Sequence, residues 1–285
     1  MNKIGFLIIA ITMFSWAESW AQISVNNGSA IDPADEAALM ARNKQVGQFF
    51  KRFNGEEDEK GKRYEPDNRK YRDIKLRTNY LELAFEERRL PADDAVRKEF
   101  TEYVINKNNP KFLDIYAAAW YAEADVIFNT EKGKENFILI LKREQENGGW
   151  KWVVTNVFNA NYDALFPEAN KTENKQFLHP LSHEIAFMNF KKAFDKNNQV
   201  TDYAQNSFFI DKTALFFYDI KTEKIKFEMV NQVVFHFLQI DNWYFKLENI
   251  EKPGLNAGWL ISSVSKITND EKKAYLHAFE PISNK

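Results

Sequence analysis

"ENGGWKWVVTNV", Glu146–Val157, and "LNAGWLISSVSKI", Leu255–Ile267, write one phrase twice. Each gives an Asn, a small residue, Gly, Trp and then a run rich in β-branched side chains. Asn and Gly reach positive φ at low cost, so both are turn signals. "ENFILILKRE" precedes the first and "WYFKLENIE" the second, and both have strand composition. The first phrase therefore predicts a hairpin with Gly149 as its flexible residue, and Gly258 takes that part in the second. Trp150 and Trp259 are expected to occupy equivalent places, each opening the last long strand of its own sheet.

Working outward from the first hairpin, the N-terminal side shows helical periodicity. Leu39, Val46, Phe50 and Phe53 form one apolar stripe, with Asp32 before Pro33 as an N-cap and Asn54-Gly55 as the stop. A second helix is expected over 67–88, burying Ile74, Leu81, Ala84 and Phe85. A third is expected over 93–107, capped by Asp93 and burying Val96, Phe100, Tyr103 and Val104. "EEDEKGKRYEPDNRK" between the first two mixes charge signs and reads as a solvated loop. The period then changes, and "FLDIYAAAWYAEADVIFN", 112–129, reads as an Ala-rich strand leading into the hairpin.

The other half repeats this order in shorter form. One helix is expected over 181–197, with Phe187, Phe190 and Phe194 inward. Strands follow at "ALFFYDI", at "IKFEMV" running into "QVVFHFLQI", at "WYFKLENIE" and at "GWLISSVSKI", with Asp241-Asn242 as a turn and a short last helix over 270–279. The polar, Pro-containing stretch after residue 158 marks a boundary. The expected organisation is a unit over 34–165, a linker over 166–180 and a second unit over 181–285, each an α+β unit with helix packed on a curved antiparallel sheet.

Three helices before a sheet, then a strand meander, resemble the NTF2-like α+β fold over 34–165. The one-helix second half resembles the smaller cystatin-like layout over 181–268. This is a resemblance of element order, and no sequence motif carries it. It implies a concave sheet face, used in such folds by isomerases and dehydratases and by many non-enzymatic binding domains, so fold does not decide function.

Bulk properties narrow the classes. The chain has 285 residues and a net charge of −2, with Lys and Arg scattered among acids, which gives no footprint for nucleic acid. Aromatics reach 15%, including 25 Phe, and point to a large aromatic core. Residues 1–21 have the layout of a secretory signal peptide: "MNK", an apolar run "IGFLIIAITMF", and Ser19-Trp20-Ala21 before Gln22. Residues 22–33 read as a flexible leader. The apolar run is too short to span a bilayer, so no membrane span is expected after cleavage. With no Cys there is no disulfide and no lipid anchored on Cys. Export to a bacterial periplasm, outer surface or medium is the expected localisation.

Candidate chemistry is sparse. The sequence shows no Gly-rich phosphate loop, no Gly-x-Ser-x-Gly, no Cys nucleophile and no metal-ligand cluster, and no cofactor or metal is expected. His179 and His183 flank Pro180 and read as a helix entry. His236, in "VVFHFLQ", falls on a strand with two apolar faces, where a hydrogen-bonded core histidine or a pocket acid/base fits. Asp114, Tyr116 and Trp120 share parity and could face a small-molecule cavity. The sequence reading is an exported, non-enzymatic binding or assembly module of the cell envelope, its partner an unknown small molecule or envelope protein. Its rival is an NTF2-like enzyme acting on a small molecule in the first unit.

Overall fold

The computed structural model describes residues 45–165, 211–250 and 258–281. Among these residues three helices come first, α1 (Val46–Asn54), α2 (Ile74–Leu83) and α3 (Ala95–Val104). A strand meander follows, β1 (Trp120–Thr130), β2 (Gly133–Glu146) and β3 (Gly149–Phe158), and then the short α4 (Ala160–Leu165). After the undescribed stretch come α5 (Lys212–Lys221), a second meander of β4 (Lys226–Phe237), β5 (Trp243–Ile250) and β6 (Gly258–Lys266), and α6 (Asn269–Phe279). The expected signal segment, leader, linker and 181–197 helix lie outside the described residues.

Local chemistry sets the helix ends. Asp73 caps α2 by accepting from Leu76 N, and Asp94 caps α3 by accepting from Arg97 N. The cap of α3 is thus one residue later than the expected Asp93. Gly55 ends α1 in the left-handed region at φ 70°, where a Cβ would meet Arg77 Cγ at 2.7 Å. Thr268 and Glu271 close a capping box at the start of α6.

Both meanders belong to one six-stranded antiparallel sheet, in the order β3-β2-β1-β4-β5-β6. The expectation of a separate sheet for each half therefore gives way to a joint sheet. Each meander alone leaves its first strand bare, and the two bare strands, β1 and β4, pair along their length. The register is two-fold. Ala122 faces Phe235 across the central pair. Ala122 then pairs with Leu141 and that with Val154, while Phe235 pairs with Leu247 and that with Ile261. A register shift follows at the next residue on both sides, at Thr155 in β3 and Ser262 in β6. Counting back from these shifts, the equivalent of Trp259 is Trp152. The expected equivalence with Trp150 is out by two residues.

Helices are exchanged between the halves. Phe49 and Phe53 of α1 lie against Phe245 of β5, and Phe49 also against Phe237 of β4. Phe100 of α3 meets Trp243 and Phe245. The segment after α2 bonds along β6, through Glu86 N to Ile261 O and Ile261 N to Ala84 O. In return, Phe216 of α5 packs on Phe128 and Phe137 in the first meander. The opposite sheet face is covered by α6, whose Phe279 packs on Tyr121 and whose Tyr275 stacks on Tyr244.

Two expected strands changed. "ALFFYDI" is the core of helix α5: Asp211 caps it by accepting from Ala214 N, Phe216 and Asp219 are buried, and Leu215 packs beside Phe216. Residues 112–119 form a turn, and β1 begins only at Trp120, after Ala119 at φ 63°.

Candidate functional site: an aromatic corner at the β2–β3 hairpin

The hairpin is closed by Asn147 at φ 50° and Gly148 at φ 81°. Positive φ at both central residues is the type I′ turn, whose twist suits two antiparallel strands. It fixes the closing pair as Glu146 and Gly149, and the following pairs as Gln145 with Trp150 and Arg143 with Trp152. Gly149 itself needs no positive φ, and a Cβ there would sit in ordinary contact, 3.7 Å from Glu146 O. The freedom assigned to Gly149 from sequence belongs to Gly148.

Side-chain alternation puts Arg143, Trp150 and Trp152 on the face shared with Trp120 and Phe235. The Arg143 guanidinium lies 4.4 Å from the Trp120 ring centre and 5.3 Å from that of Trp150. These are cation–π distances. One Nη donates to Ala117 O at 2.6 Å, while the buried Nε has no hydrogen-bond partner. Arg143 has no carboxylate within ion-pair distance among the described residues, and burial lowers its pKa. Trp152 meets Trp120 edge-on at 5.2 Å and Phe235 at 6.0 Å. Tyr116 lies on Trp150 at 5.6 Å. The outer rings are open to solvent: Tyr116 is 62% exposed, Trp150 45% and Trp152 40%.

The turn that presents Tyr116 is itself built. Asp114 Oδ1 accepts from Tyr116 N at 2.7 Å. Gln239 holds the backbone of Asp114 from both sides, donating to its O and accepting from its N. Trp120, buried at the start of β1, donates from Nε1 to Ile115 O at 3.2 Å. Asp114 thus serves the turn on an exposed surface. Asp114, Tyr116 and Trp120 do come together at one corner, through a turn and not along a strand.

His236 is elsewhere, on the opposite face beneath α6. Its Nδ1 is 2.7 Å from Tyr244 Oη and its Nε2 is 3.1 Å from Glu123 Oε2. His236, its Nε2 3.1 Å away, holds the Glu123 carboxyl below its usual range, and burial raises the pKa of Tyr244. Phe279 packs edge-on over the imidazole at 4.9 Å. This is a hydrogen-bonded core histidine that ties the central strand pair to β5.

Arg143 and Trp152 escaped the sequence reading. The signal was present, since Trp-x-Trp after an Asn-Gly turn puts both rings on one face, and the same register puts Arg143 between them. Among the described residues no group of His, Asp and Glu is placed to hold a metal, and no helix is long and apolar enough to cross a membrane. Comparisons with protein-family models, curated proteins and solved structures give no match for this chain.

Proposed function

We propose that this chain is a binding module of the bacterial cell envelope, reached by export through residues 1–21, and that the aromatic corner is its recognition surface. The observation that carries the reading is the set of Tyr116, Trp150 and Trp152, half-exposed side by side and joined to the core through Arg143 and Trp120. Tyr, Trp and Arg are the side chains that dominate binding energy when a partner covers them. A contiguous exposed apolar strip of this kind marks an interaction site. The sheet face beside it is filled by Phe235, Phe237 and Trp120, which favours surface recognition over a substrate cavity. The NTF2-like and cystatin-like resemblance belongs to the same reading, as a curved sheet used as a platform.

The test is a photo-crosslinking residue placed at Tyr116 or, as control, at His277, which is exposed on α6 across the sheet. Adducts in the exporting bacterium should form from Tyr116, not from His277, and should vanish when Trp152→Ser is added. Identical adducts from both positions, or none from Tyr116, would refute the reading.

A further inference from the structure

The two edges of the sheet are treated differently. The β6 edge is closed by the segment after α2, through backbone bonds between Ala84, Glu86 and Ile261. The β3 edge carries no such backbone partner over Gly149–Val154 among the described residues. From Thr155 onward β3 is covered: Thr155 Oγ1 donates to Phe279 O and Asn156 Nδ2 to Ala278 O. The register shift at Thr155 ends the open stretch.

The hairpin register says which groups this edge offers. In an antiparallel ladder, hydrogen-bonded and non-hydrogen-bonded pairs alternate. The type I′ turn makes Glu146 and Gly149 a hydrogen-bonded pair, so Trp150 and Trp152 fall in non-hydrogen-bonded pairs. Their N–H and C=O groups therefore point away from β2, toward the open edge. The two residues with outward backbone groups are the same two that expose indole rings on one face. Backbone bonding and side-chain contact are thereby offered to one extended chain in one register. Charge adds a preference, because Arg143 lies against Trp120 and Trp150 with its buried Nε unpartnered, and the charge of Asp114 acts on it without an ion pair within 4 Å among the described residues. Lys151, which blunts the edge against indiscriminate pairing, is already bound to Glu146.

We propose that β3 accepts an extended acidic–apolar peptide as an added strand over Gly149–Val154, its apolar side chains lying on Trp150 and Trp152 and a carboxylate meeting Arg143. The proposal rests on the binding-module reading and names its ligand class.

The experiment uses the full chain and a fluorescein-labelled octapeptide with Phe and Glu alternating on one face and Thr on the other. Two twins are N-methylated, one on the Phe and Glu residues and one on the Thr residues. Edge and face alternate together along a strand, so an added strand bonds through one set only. Anisotropy titration should show binding of the parent, about a tenfold or greater loss for one twin, and near-parent affinity for the other. Equal affinity of both twins overturns strand addition, as does failure of the parent to bind. If both twins bind equally and the Trp150→Ala/Trp152→Ala variant does not bind, the aromatic corner still recognises its ligand and only the edge mode falls. If that variant binds the parent peptide as the native chain does, the aromatic corner is excluded as the site for this ligand too.

Discussion

Trp152 and Trp259 approach the ring of Phe235 from opposite edges of the sheet, with centroids at 6.0 Å and 4.9 Å. They are equivalent by register, each three residues before the residue at a register shift. Their surroundings differ, because the β6 edge is closed by the Ala84–Glu86 segment, while the β3 edge has no such backbone partner among the described residues. Trp152→Ala should therefore cost about 1 kcal/mol, and Trp259→Ala about 2–4 kcal/mol. Urea midpoints of the two variants check this, and equal losses would count against it.

Phe237 and Phe245 stack in parallel at 4.6 Å in the most buried part of the sheet. Phe53 and Trp120 flank the pair on either side. Phe245→Ala should remove about 3–5 kcal/mol of stability. The loss should be seen alike in α1, which belongs to the first half, and in β5, so the two halves should unfold in one transition. Hydrogen exchange resolved by segment tests this, and separate melting of the halves would contradict it.

Arg77 is fully buried, with its Nε donating to Phe53 O and one Nη to Val104 O and Lys111 O. It closes the last turns of α1 and α3 at once, and burial brings its pKa down to about 10. Arg77→Met should cost about 2–4 kcal/mol by leaving buried carbonyls unmet. Arg77→Lys should not restore it, since an ammonium lacks the planar fork that spans them. Thermal melting of both variants decides.

The hairpin turn gives a sharp contrast between neighbouring glycines. Gly148 has φ 81° and Gly149 has no positive φ. Gly148→Ala should cost about 1 kcal/mol in backbone strain, while Gly149→Ala should be near neutral. Chemical denaturation of the two variants measures the difference, and a larger cost at Gly149 would refute the turn assignment.

Glu123 has its pKa held below the usual value of 4.5, first by His236 beside it. A carboxyl with a depressed folded pKa stabilises above its unfolded pKa, and that contribution is lost as pH falls through the folded one. Stability of the native chain should fall more steeply below about pH 4.5 than that of Glu123→Gln. Denaturation midpoints across that range test the sign.

The sequence by itself determined what is local. The hairpin at Asn147-Gly148, the strands opened by Trp243 and Trp259, the turn at Asn242 and the helix ending the described chain all follow from turn chemistry, capping and alternation over a few residues. Local chemistry could not decide "ALFFYDI", because a short unbroken apolar run fits a strand and a helix equally. Its packing against Phe128 and Phe137, with the cap at Asp211, made it helical. Nor could it reveal that β1 pairs with β4, since both are apolar strands with unpaired edges and the pairing joins residues about a hundred positions apart. That one long-range pairing exchanges the helices between the halves and sends His236 to the face away from Trp120. Together with the turn ending at Ala119, it leaves Tyr116, Arg143, Trp150 and Trp152 at one corner. Sequence supplied the side chains of the candidate site, and tertiary structure decided which of them meet, because strand pairing sets both the face and the neighbour of every residue on it.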